Sequence, residues 1–186
     1  MLDILAAMNR GKIVLGACTV LSLLGAAAFV VVVASPARVT LDSGFAECGP
    51  PTFEGKYVYG MNVTNNSDHP LTIDSIVAMS SQGLRGVRYW ALPPSGIGAH
   101  GFGDEVASTI PGWSARRAVA DAPLPPHRSV GIVIAPQLAA GSTKGFATDF
   151  AVTMTRHSGL SWTQTSNAGY GYAPIGSGGS AGDCWR

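Results

Sequence analysis

Residues Ile13 to Ala34 form a run of twenty-two without a charged side chain, with Arg10 and Lys12 just before it. As a helix at 1.5 Å per residue, the run extends about 33 Å, the thickness of a bilayer's hydrocarbon core. It divides the chain into a cytoplasmic N-terminus (1–12), a transmembrane helix (13–34) acting as signal anchor, a juxtamembrane segment (35–47) and a polar, turn-rich domain (48–186). The positive charges on the N-terminal side hold that end in the cytoplasm and place the domain outside the cell membrane, so that the first expected partner is the lipid bilayer. A cleaved signal peptide is the competing reading, with Val32-Val33-Ala34 before Ser35 as its processing site; the run exceeds the usual length of such a segment. Leu15-Gly16-Ala17-Cys18 has the letters of a lipobox, but only five apolar residues precede the cysteine after Lys12. Cys18, Ser22 and Ala26 line one helix face at four-residue spacing, which an alanine-rich helix produces without any partner.

From Pro36 onward the chain has 151 residues, one domain's worth, with ten Lys plus Arg against ten Asp plus Glu. A neutral surface without a basic run argues against nucleic acid as a partner. Arginine outnumbers lysine nine to three over the whole chain. Cys48 and Cys184 are the cysteines beyond the apolar run, and outside the cytoplasm such a pair is expected to oxidise to a disulfide. Closing so long a loop stabilises a fold by at most about 5 kcal/mol. Neither cysteine has a second Cys or His at zinc-ligand spacing.

Alternation dominates the domain. Tyr57, Tyr59, Met61 and Val63 form one strand, and Asn65-Asn66-Ser67-Asp68 turns the chain into Leu71, Ile73 and Val77. Val87 to Leu92 is a further strand, stopped by Pro93-Pro94. The apolar run Val130 to Ala135 suits a strand buried on both faces. Phe146, Phe150, Val152 and Met154 share a face of the longest strand, and Ser158-Gly159 turns into Leu160 to Thr165 as a hairpin. With Arg38 to Leu41 as a first strand the count is about seven, which predicts a mainly β fold, an immunoglobulin-like antiparallel β-sandwich. Val63-Thr64-Asn65-Asn66-Ser67 before Leu71-Thr72-Ile73, and Phe150-Ala151-Val152-Thr153 before Gly159, resemble the small extracytoplasmic immunoglobulin-like modules of actinobacterial surface proteins. The resemblance covers the outer thirds of the domain and implies no catalytic motif.

A sandwich does not need the 36 residues of 93–128, which hold six of the twelve prolines. Within them Trp113 stands beside Arg116 and Arg117, and 114–120 has the makings of a short helical turn that packs Trp113 onto the sandwich. Trp113 is then either an apolar plug for an extra core pocket or, with both arginines, a partner-binding hot spot. The hot spot predicts that Trp113→Ala with Arg116→Ala weakens partner capture and lowers the melting temperature by only a few degrees. The plug predicts a loss of about 3–5 kcal/mol and no binding defect.

Other patterns fail on context. Gly96-x-Gly98-x-x-Gly101 follows prolines rather than a strand, so no nucleotide is expected. Gly178-x-Ser180-x-Gly182 lies in a Gly/Ser tail and not at a strand-to-helix elbow. His69, His100, His127 and His157 with Met61, Met79 and Met154 are copper-type ligands, yet Met61 and Met154 fall in phase with strand cores. Asp74 and Asp149 read as solvent-face strand carboxylates. Tyr170 and Tyr172, near Trp185, either stack on cell-wall glycan or anchor the C-terminal segment. The expected function is therefore that of a membrane-anchored accessory or interaction protein, not an enzyme and without cofactor, whose partner is another membrane or cell-envelope protein. The alternative is a ligand-binding module for glycan or copper.

Overall fold

Ten strands in two packed sheets are seen in the computed structural model, which describes residues 38–42, 44, 46–51, 54, 58–93 and 110–174. They are β1 (Val39–Leu41), β2 (Ala46–Gly49), β3 (Tyr59–Asn65), β4 (Leu71–Gln82), β5 (Leu84–Ala91), β6 (Arg117–Ala118), β7 (Ala122–Leu124), β8 (Arg128–Leu138), β9 (Gly145–Arg156) and β10 (Ser161–Tyr172). Sheet A has the order β1-β3-β8-β5-β6 and sheet B the order β2-β10-β9-β4-β7. Every pairing is antiparallel except that of β2 with β10. The mainly β sandwich is as the alternation predicts. The strands beyond the expected seven include β2, β6 and β7, edge pieces of two to four residues, too short for a periodic signal.

The compact unit runs Ala37–Arg186, so β1 already belongs to the sandwich, ahead of Cys48. No described helix is long and apolar enough to cross a membrane. The expected span 13–34 lies outside the described residues, as do Cys18, Tyr57, His100, the 96–101 and 178–182 glycine patterns, Cys184 and Trp185.

Local chemistry explains the corners. Asn65, fully buried, accepts at Oδ1 from Ser67 N (2.9 Å) and Ser67 Oγ (2.7 Å), and its Nδ2 donates to the carbonyls of His69 (2.8 Å) and Leu124 (3.1 Å). One side chain thus builds the β3–β4 turn and ties it to β7, with its polar atoms satisfied. Gly83 carries the chain from sheet B to sheet A at φ 64°, and a Cβ there would sit 2.3 Å from the Lys144 carbonyl oxygen. No other residue fits.

The core lies between the sheets. Tyr59, Met61 and Val63 of β3 and Ile132 and Ile134 of β8 face Ile73, Phe150, Val152, Met154, Tyr170 and Tyr172, all with no exposed surface. β8 is buried without a break from Val130 to Pro136, as its unbroken apolar run predicts, because it is the central strand of sheet A.

Two side chains depart from the expected phase. A bulge between Ile73 and Ser75 makes room for Asp74, so Ile76 turns inward and Val77 is 55 % exposed rather than core. In β9, Asp149 adopts φ 55°, opposite a bulge between Ser166 and Gly169 of β10. Ahead of it Ala147 takes the inner position, and Phe146, expected in line with Phe150, is only half-buried.

Candidate functional site

The outer face of sheet A is built around β5 and β8. The register sets Trp90 opposite Val133 and Arg88 opposite Ala135, so Arg88 and Trp90, two apart on one strand, share that face. Val58, Leu92, Ile110, Val133 and Ala135 form a second, smaller apolar cluster, against which Trp90 and Trp113 pack. Trp113 arrives from the long connection through a 3-10 turn, Trp113–Ala115, not the longer helical turn expected over 114–120. Gly112 caps that turn at φ 80°, with Trp113 N donating to the Ile110 carbonyl (3.0 Å).

The rings and guanidinium groups form a ladder. Arg88 lies 5.4 Å from the Trp90 ring centroid, the two indoles meet edge-on at 5.6 Å, and Arg116 lies 4.2 Å over Trp113. Arg116 also donates through Nη1 to the Trp113 carbonyl at 3.1 Å, which holds the guanidinium over the ring. Gln137, with its amide oxygen turned toward Arg88, accepts from Nε and Nη2 at 3.1 Å each. Beyond Arg88 a cleft of about 300 Å³ is lined by Glu54, Arg85, Arg88, Ala135, Pro136 and Gln137. There Glu54 Oε1 accepts from Leu138 N (2.8 Å) and stands 3.8 Å from Arg85.

Trp113 and Arg116 are thus brought together as expected, and Trp113 also seals an apolar cluster. Arg117 is not in the ladder: it pairs with Ala91, an inner-face residue, and so lies on the strand side opposite Trp90. Arg88 and Trp90 escaped sequence reasoning, although their two-residue spacing within the recognised strand Val87 to Leu92 puts them on one face.

The other candidate ligands do not gather. Among the described residues no three His, Cys, Asp or Glu side chains converge as a metal site. His127 Nε2 sits 2.8 Å from Asp68 on the surface, Met61 and Met154 are core, and Met79 is exposed. Asp74 accepts from the Thr155 hydroxyl and Asp149 from that of Thr148, neighbours within sheet B. Tyr170 and Tyr172 are fully buried, so neither ring has a face to offer a sugar. Both rings belong to the core, and the C-terminal segment they were expected to anchor lies outside the described residues.

No family model matches this chain, and no curated protein matches it in sequence. In fold it is similar to the ASH/PapD-like domain 7 of human CEP192, at 12 % identity and TM-score 0.40 over 76 % of this chain and 89 % of that one. The periplasmic chaperone SfaE is similar at 11 % identity and TM-score 0.36 over 75 % of this chain and 58 % of its own. A FixG-related protein from Vibrio parahaemolyticus follows at 11 % identity and TM-score 0.29, over 75 % and 97 %.

Proposed function

We propose that this chain is a non-catalytic interaction module, anchored by 13–34 and displayed outside the membrane, which captures another membrane or cell-envelope protein on the outer face of sheet A. The observation that carries the reading is the Arg88–Trp90–Trp113–Arg116 ladder. Two rigid indoles supply contact area at little conformational cost, and exposed guanidinium groups at both ends select a partner that presents carboxylates. Arg116 separates binding from folding, because it is exposed and, among the described residues, its side chain touches Trp113, at the ring and the carbonyl. In pull-downs through the intact membrane protein, Arg116→Ala is expected to weaken capture by roughly tenfold, the scale of an interface arginine. Its melting temperature should match that of the wild type. Unchanged capture by both Arg116→Ala and Arg88→Ala would leave Trp113 as a plug alone.

The location and the disulfide belong to the same reading. The Cys48 position of β2 pairs with Gly171 at the end of β10, so the chain leaves the sandwich beside Cys48, and Cys184 follows twelve residues after Tyr172. That length readily returns to its starting point. Protease shaving of intact spheroplasts, analysed without reductant, should digest the domain and yield linked Cys48 and Cys184 peptides. A soluble form beginning at Ser35 in the medium would replace the anchor with a cleaved signal, and two free thiols would remove the disulfide.

A further inference from the structure

Among the described residues the edge strands β1, β6 and β7 are protected, while β4, the first part of β5 and the first part of β10 each have a side without a paired strand. β1 is three residues long, and side chains close it: Gln164 Nε2 donates to the Val39 carbonyl (3.1 Å) and Asn66 Nδ2 to Thr40 Oγ1 (2.8 Å). β6 has two residues and begins with an arginine, while β7 has three with Pro123 at its centre. Short strands, charge and proline are the usual devices against edge-to-edge pairing. After the bulge at Asp74, β4 has none of them. β7 pairs only with Leu71, Thr72 and Ile73, whereas β9 pairs with β4 as far as Gln82. From Ser75 to Gln82 the other side of β4 therefore carries no strand among the described residues. This stretch, Ser75-Ile76-Val77-Ala78-Met79-Ser80-Ser81-Gln82, holds no charge, no proline and no glycine.

Its apolar side chains are out of place for a solvent edge. Val77 and Met79 are 55 % and 65 % exposed, and they are the exposed large apolar residues of the described structure. The backbone is also turned outward. The Ala78 N–H donates at 3.2 Å to the hydroxyl of Tyr89 on β5, not to β9. By the two-residue period, the Ile76 N–H points away from β9 as well. Among the described residues, Tyr89 thus takes the place of a neighbouring strand at Ala78.

We infer that β4 is a pairing edge for a second copy of this chain, with Ala78 at the twofold axis of an antiparallel β4–β4 ladder. Self-pairing follows from the residues themselves. Centred on Ala78, the register sets Val77 opposite Met79 of the other copy, Ile76 opposite Ser80 and Ser75 opposite Ser81, so apolar meets apolar on the outer face and no like charges oppose. A partner selected by charge would find nothing to read here. The Ala78 N–H passes from the Tyr89 hydroxyl to the carbonyl of the second copy, which makes Tyr89 a competitor of the dimer. This edge is distinct from the ladder face and rests on none of its residues.

Sedimentation equilibrium of the full chain in density-matched detergent tests it. The wild type should show a reversible monomer–dimer equilibrium. Val77→Lys and Met79→Lys each put a charge on the exposed edge. Each should weaken the dimer at least about tenfold while leaving the melting temperature of the monomer unchanged. Tyr89→Phe frees the Ala78 N–H and should tighten it. A wild type that remains monomeric to about 100 µM overturns the inference and leaves the edge to a strand from a different protein. A dimer that survives both Val77→Lys and Met79→Lys also overturns it and places the contact elsewhere, the 13–34 helix included.

Discussion

Tyr170→Ala is expected to lower the unfolding free energy by about 3–5 kcal/mol, and Tyr170→Phe by about 1–3 kcal/mol. The ring has no exposed surface and lies 5.0 Å from that of Tyr59 and 5.5 Å from that of Phe150, so its removal empties the centre of the sandwich. Its hydroxyl donates to the Gly60 carbonyl at 3.0 Å, bridging sheet B to sheet A. Phenylalanine keeps the packing and loses that bond, leaving a buried carbonyl without the hydroxyl donor. Since a domain of this size is stable by about 5–15 kcal/mol in all, the alanine variant should be marginal at physiological temperature. Urea titrations at 25 °C measure both losses. Equal small losses for the two variants would mean that the ring is not the centre of the core.

Alkali should destabilise the fold through the same side chain. Burial, followed by the nearby carboxylates of Glu47 and Asp42, holds the Tyr170 phenol well above its ordinary value of 10. Burial raises Tyr89 to about 12, the bond from Ala78 opposing it in part. Both shifts are upward, so the unfolded chain loses these protons near pH 10 while the folded chain keeps them. The stability they contribute is complete below pH 10 and declines as the pH rises, through about 12 for Tyr89 and further for Tyr170. Tyr170 alone should give a slope of about 1.4 kcal/mol per pH unit. The difference between wild type and Tyr170→Phe isolates it from other alkaline titrations. Urea midpoints from pH 9 to 11.5 should converge for the two proteins, and parallel curves would show that the phenol reaches water.

Where sequence alternation persisted, it translated directly into structure. Tyr59, Met61 and Val63 are inner-face residues, and Val130 to Ala135 is the doubly covered central strand. The Asn65 turn follows from the side chain's capacity to bond its own backbone. The misses have local causes. Val77 and Phe146 were misplaced because a bulge and a left-handed aspartate each shift the phase by one residue, and a period-two reading cannot see an inserted residue. The ladder was half legible. Trp113 and Arg116 stand close in sequence, while Arg88 and Trp90 lie more than twenty residues earlier and join them only through the packing of the 110–116 segment on β5 and β8.

By itself, the sequence determined what depends on composition and short-range order: an apolar run long enough for a bilayer, a neutral domain, a mainly β fold and the turns at Asn65 and Gly159. Such properties are set by neighbours a few residues apart. The tertiary structure alone decided which tyrosines are core, which strand sides lack a paired strand among the described residues, and that Arg88, Trp90, Trp113 and Arg116 form one stack. Those outcomes depend on strand order and register, and register is a contest between distant segments for the same backbone hydrogen bonds and the same buried surface.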